Sequence, residues 1–230
     1  MQRGIMIGCV GLMALACQPA PTPDCAAAVE EALARQRASF AEASPATTLE
    51  PPIGQSLPAE EERSGVIANA AGPLTLLGPQ LVPGQPAPAF VLRDLENKPL
   101  ASERFAGKTL VISVVPSVDT PVCEAQTGHL FRSMEALPPD TVLLTVSRDL
   151  PFAQRRFREI KGYDMLYGSD AYDGSFGRSY GIAVKESGLL ARSVWVIDPE
   201  GTLRYHEIVA NQRDEPDYSA LLAALARAAP

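Results

Sequence analysis

The stretch Thr109-Leu-Val-Ile-Ser-Val-Val115, followed by Pro116-Ser-Val-Asp-Thr-Pro-Val-Cys123, decides how this chain is read. An unbroken apolar run of this length suits a strand covered on both faces, as in a parallel sheet of an α/β protein. Pro116 lacks the N–H needed to continue a ladder, so the strand stops there. Thr120 is placed to cap a helix, with Pro121 at its first position, where a missing N–H costs nothing. That puts Cys123 in the first helical turn, close to unpaired backbone N–H groups and the positive end of the helix dipole. Such surroundings suit a thiolate, which is the reactive form of cysteine.

The same pattern extends in both directions. Leu74–Leu77 and Ala89–Leu92 read as short strands, and 120–136 as a helix. Its spacing sets Cys123, Thr127, Leu130, Met134 and Leu137 near one face, so the cysteine points inward. Thr141–Ser147 is a further strand, and Pro151 opens a helix to about Ile160. A short strand near Asp164–Tyr167 and a helix near Tyr172–Tyr180 follow. Ser193–Asp198 and Thr202–Ala210 flank the turn Pro199-Glu-Gly201 as a hairpin. A last helix covers about Asp217–Ala228, with Tyr218, Leu221, Leu222 and Leu225 at helical spacing. Strands alternating with helices, then a hairpin and a helix, point to an α/β layer fold.

The chain has 230 residues, 46% of them hydrophobic, enough for one sizeable core plus appendages. Its net charge of −7, with no Lys/Arg run, argues against nucleic acid as a main partner and leaves no polybasic membrane patch. The start reads as an export signal over residues 1–16: Arg3, then an apolar Gly4–Ala16 too short to span a bilayer. Ala14-Leu-Ala16 before Cys17 fits ordinary cleavage. It also resembles a bacterial lipobox, although Leu15 stands one place late. Lipidation of Cys17 is the leading expectation, with soluble export second and an uncleaved anchor third. The protein is then expected on the periplasmic side, held to a membrane by lipid rather than by a helix. Gln18 resembles an outer-membrane sorting signal. Residues 17–73 read as a Pro/Ala-rich spacer, irregular from Ser44 to Pro73, with a candidate helix over 25–43. The folded domain is expected over 74–230.

Of four cysteines, Cys9 falls in the removable segment and Cys17 is the candidate lipid site. Cys25 and Cys123 remain as thiols. There is no C-x-x-C pair, which argues against a zinc site and against a dithiol oxidoreductase. His129 and His206 lack ligand-like spacing and read as structural. No metal or cofactor is expected.

Pro116-x-x-x-Thr120-x-x-Cys123 matches the active-site pattern of peroxiredoxins. Phe105-Ala-Gly-Lys108, Ser147-Arg-Asp-Leu-Pro-Phe-Ala-Gln-Arg-Arg-Phe157 and Gly188-Leu-Leu-Ala-Arg192-Ser-Val-Trp-Val-Ile-Asp198 extend the match over roughly 74–228. The chain resembles bacterial thiol peroxidases, the atypical two-cysteine branch. The resemblance implies a thioredoxin-like fold, a central mixed sheet flanked by helices, and antioxidant reduction of hydrogen peroxide and organic hydroperoxides. It also suggests a homodimer. It implies that Cys123 attacks the peroxide, that Arg192 supplies positive charge, that Thr120 orients the peroxide, and that Pro116 shields the site. A second cation is physically wanted. A helix terminus alone contributes only about 0.3–1 kcal/mol, up to ~2 when partly buried.

One departure matters. Where the family carries its resolving cysteine, this chain has Arg158. Three routes stay open. An external thiol, from a thioredoxin-like protein or a small molecule, reduces the Cys123 sulfenic acid. Alternatively, Cys25 resolves it, within or between chains. In the third, the protein cycles poorly and serves as a tethered redox sensor or an inactive interaction protein.

Overall fold

The computed structural model describes residues 61–134, 137–138 and 140–228. The expected signal segment 1–16, Cys17, Cys25 and the helix 25–43 all lie outside the described residues.

The elements run β1 (Glu62–Asn69), β2 (Gly72–Leu77), β3 (Val91–Arg93), β4 (Pro99–Ala101), a 3-10 turn (Ser102–Phe105), β5 (Thr109–Val114), α1 (Pro121–Ser133), β6 (Thr141–Ser147), α2 (Pro151–Lys161), β7 (Leu166–Ser169), α3 (Ser175–Ser179), β8 (Ala183–Val184), β9 (Ser193–Ile197), β10 (Leu203–Ile208) and α4 (Tyr218–Ala228). The main sheet has seven strands in the order β10-β9-β5-β6-β7-β3-β4. β5, β6 and β7 are parallel to one another; β9, β10, β3 and β4 add antiparallel pairs at the two sides. The mixed sheet with flanking helices is the one anticipated.

β5 is buried at all of its positions. Its alternate residues feed two cores, as a period of two requires. Leu110, Ile112 and Val114 enter a cluster with Phe90, Phe176, Tyr180 and Trp195. Val111 and Val115 enter another with Cys123, Leu130, Phe157, Tyr167 and Leu225. The cysteine helix α1 therefore lies against a strand closed on both sides. Its stripe is shorter than expected: Cys123, Thr127 and Leu130 are buried, whereas Met134 is exposed.

Regular structure is present before Leu74, earlier than the hydrophobic pattern suggests. The stretch expected to be irregular to Pro73 contains β1 and the start of β2, paired antiparallel. Only Ile67 of β1 is buried, so no apolar alternation marks this strand. Its stability comes from backbone pairing and from its turn. Asn69 Oδ1 accepts from Ala71 N at 2.8 Å, and Gly72 sits at φ +131°, open to glycine without strain. β1 also reaches across to the segment after β10: Ala68 N donates to Ala210 O (2.8 Å) and Gln212 N to Ala68 O (2.9 Å). β4 and β8, each of three residues or fewer, were also invisible to periodicity.

The β9–β10 hairpin forms as expected, with Gly201 at φ +81° in its turn. His206 of β10 stacks on buried Trp195, ring centroids 4.7 Å apart. Its Nδ1 is buried with no hydrogen-bond partner among the described residues. Burial, and then the charge of Arg63, hold its pKa below the usual histidine value. The unfolded chain takes up a proton near pH 6.5 while the folded chain resists it. The unfolded state thus binds more protons in that window, and stability falls as pH drops through it. We expect the urea midpoint of His206→Phe to fall less between pH 7.5 and pH 5.5 than that of the wild type. An equal fall in both proteins would show that His206 is not the group responsible.

Candidate active site

The site forms where β5 and β6 end side by side. Val115 N still donates to Val146 O at 2.9 Å; Pro116 then ends the ladder. The loop that follows is held by one carboxylate from the turn after β6. Asp149 accepts from Ser117 Oγ (2.9 Å, Oδ1) and from Val118 N (2.7 Å, Oδ2). Val118 is buried, and the chain then turns outward, leaving Asp119 and Thr120 exposed.

Thr120 occupies the N-cap position of α1, with extended backbone and Pro121 next. Its backbone does what was expected: the Thr120 carbonyl accepts from Glu124 N at 2.9 Å. Its side chain does not. The hydroxyl makes no cap hydrogen bond and instead donates weakly to Ser117 O at 3.5 Å. The reason is local. The loop curls back on itself between Ser117 and Thr120, so the hydroxyl donates to the Ser117 carbonyl behind the helix instead of accepting from a helix N–H. The threonine hydroxyl is thereby left on the exposed rim, turned away from the capping duty common at this position.

Cys123 is the third residue of α1, with no solvent-exposed area, and its thiol is free. Arg192, at the residue before β9, is 2% exposed. Its Nη2 approaches Cys123 Sγ at 3.3 Å. The other two nitrogens are also engaged: Nη1 donates to Gln126 Oε1 (2.7 Å) and Nε to Gln212 O (3.2 Å). Gln126, one helical turn after the cysteine and wholly buried, is oriented in turn by donating Nε2 to Ser113 Oγ of β5 (2.9 Å). No carboxylate forms a salt bridge with Arg192 among the described residues. Its charge is held by neutral amide oxygens and faces the sulfur.

Beside this pair the surface opens into a cavity of about 270 Å³ lined by Val118, Asp119, Thr120, Pro121, Glu124, Phe157 and Lys161. Lys161 and Glu124 pair across it at 2.7 Å. Arg158 sits one turn earlier on α2, its guanidinium bound to Asp164. Cys123 is the only cysteine among the described residues.

The structure thus brings Cys123 and Arg192, 69 positions apart in sequence, into direct contact; Thr120 stands exposed at the N-cap of the same helix and Pro116 in the loop before it. Cys25 and Cys17 lie outside the described residues. The sequence reading missed Gln126, Gln212 and Asp149. Gln126 had a signal, a polar residue on the buried face of α1 next to Thr127. Asp149 lay inside the Ser147–Phe157 block without being singled out, and Gln212, a loop residue whose partner is distant, had no signal. The two histidines are structural as read: His129 stacks on Tyr218 at 3.8 Å and His206 on Trp195.

Comparison with known proteins agrees with this geometry. The Redoxin family model matches residues 82–222. The thiol peroxidase of Staphylococcus saprophyticus is 44% identical over 153 residues, covering 66% of this chain and 92% of that protein. That of Streptococcus pneumoniae is 45% identical over 155 residues, covering 66% and 93%. Among solved structures, a peroxiredoxin-like protein from Aquifex aeolicus superposes with a TM-score of 0.65 at 30% identity, over 73% of this chain and 98% of that one. A thiol peroxidase from Chromobacterium violaceum, at 23% identity and TM-score 0.65, over 70% and 95%, shares the fold. With these relatives matched over more than nine-tenths of their length, the chain belongs to the thiol peroxidase branch of the redoxin family.

Proposed function

We propose that Cys123 is the nucleophile of a thiol-dependent peroxidase and that an external thiol completes its cycle. The observation that carries this is the contact between Arg192 Nη2 and the buried Cys123 Sγ at 3.3 Å. A guanidinium there offers donors to the sulfur and to a peroxide oxygen. The thiolate attacks the terminal oxygen of ROOH. The S–O bond forms, the O–O bond breaks, and the departing alkoxide takes a proton from solvent to leave as ROH. The sulfur is oxidised to sulfenic acid and the peroxide is reduced. In this reading the exposed Thr120 hydroxyl orients the incoming peroxide, while Pro116 walls the strand end from water.

The second half-reaction follows from Arg158. With an arginine bound to Asp164 at the expected resolving position, no disulfide forms there. A first external thiol condenses with the sulfenic acid, releasing water and leaving a mixed disulfide. A second thiol attacks that disulfide and restores Cys123. Hydrogen peroxide and organic hydroperoxides are the substrates. Export with a lipid on Cys17, on the periplasmic side, belongs to the same reading and rests on the basic–apolar–small pattern of residues 1–17. A homodimer is also part of it. Leu150 and Phe152, 54% and 59% exposed at the start of α2, offer apolar surface near the site.

Cys123→Ser should abolish peroxide consumption with dithiothreitol, glutathione and thioredoxin alike. Arg192→Met should slow it by about 10²–10³-fold, as loss of a preorganised charge donor does elsewhere. A Cys123→Ser protein that still consumes peroxide would remove the assignment. Stoichiometric oxidation that none of the three reductants can restart would favour the sensor instead. Cells fed a radiolabelled fatty acid should label the wild type and not Cys17→Ser; equal absence of label in both would remove the anchor.

A further inference from the structure

Arg192 is held from behind by a segment that sequence reading had no reason to notice. Residues 209–212, after β10, take up both of its backbone polar groups and one of its guanidinium N–H groups. Val209 N donates to Arg192 O (3.0 Å), Arg192 N donates to Gln212 Oε1 (2.5 Å), and Arg192 Nε donates to Gln212 O (3.2 Å). The Gln212 side chain closes the arrangement by donating Nε2 to Val209 O at 2.5 Å. One residue therefore fixes the arginine at two points, through its amide and its carbonyl.

Gln212 is itself anchored. Its N–H donates to Ala68 O, and Ala68 N donates to Ala210 O, so strand β1 runs beside the segment as a parallel bridge. A chain of direct contacts then leads from β1 through Gln212 and Arg192 to Cys123 Sγ. Both amides that touch Arg192, Gln126 and Gln212, are neutral. They fix the guanidinium without neutralising it. The titratable group of α4 within electrostatic reach, Tyr218, donates its hydroxyl to Glu215 at 2.5 Å, and burial followed by that carboxylate pushes its pKa far up. It therefore stays uncharged and takes nothing from Arg192.

We infer that Gln212 is a positioning residue for the peroxide reaction, acting on Cys123 through Arg192. This rests on the role proposed for Arg192 above. Truncating the amide leaves the buried Arg192 N–H without its acceptor and frees the loop that carries the Nε acceptor. A guanidinium displaced by a fraction of an ångström no longer meets the sulfur and the peroxide together.

The test is a double-mutant cycle on the full chain, reading the rate of Cys123 oxidation by hydrogen peroxide in single turnover. Gln212→Ala should slow it roughly ten- to a hundredfold. Gln212→Glu, which keeps an oxygen acceptor but sets a negative charge beside Arg192 and loses the donor to Val209 O, should recover little of that loss. In the Arg192→Lys background, Gln212→Ala should add little, because the two changes act on one contact. Thermal melts of each variant separate folding from rate. A Gln212→Ala protein that melts early but reacts at the wild-type rate would overturn the inference, as would effects of the two changes that simply multiply. If Arg192→Lys itself leaves the rate unchanged, it is the reading of Arg192 that fails.

Discussion

The contact between Arg192 and Cys123 is the constraint around which the rest of the molecule is arranged. Neither group is comfortable alone in its place. A guanidinium 2% exposed needs acceptors for all of its donors, and a cysteine at a helix start is otherwise a small apolar residue in a packed core. Bringing them together requires α1 to start where β5 stops, β9 to lie beside β5, and two amides to hold the guanidinium at Nη1 and Nε. Each of these is met by a specific feature: Pro116 and Pro121 at the loop's two ends, the β5–β9 pairing from Leu110 to Val114, and Gln126 and Gln212.

The cysteine is buried, while its helix neighbours Pro121 and Glu124 line the opening nearby. Asp149 holds the 116–118 part of the loop by two hydrogen bonds, while Asp119, Thr120 and Pro121 stand exposed around the cavity. A bulky protein thiol meets the outer rim, where Lys161 and Glu124 pair and Arg158 stands bound to Asp164. The first half-reaction thus uses groups that are already placed. The second depends on what can approach that rim.

Much of this was legible in the chain. The apolar run of β5, the proline that ends it and the proline that starts α1 fix where Cys123 falls, because each acts locally. Arg192 was legible only through its resemblance to a family block; nothing in its spacing announces a partner 69 residues away. β1 was not legible at all. It buries one residue and is held by backbone bonds, which leave no mark on hydrophobic periodicity. Thr120 shows the converse. Its type and position predict a side-chain cap, and the fold of the preceding loop takes the hydroxyl elsewhere.

The most direct measurement is intact-mass and peptide mass spectrometry of the mature protein after one equivalent of hydrogen peroxide, with a sulfenic-acid trap present. The account predicts trap adduct on Cys123 and no protein disulfide, followed by return to the thiol when an external thiol is added. A dominant Cys25–Cys123 disulfide, or a Cys123 left unmodified, would contradict it.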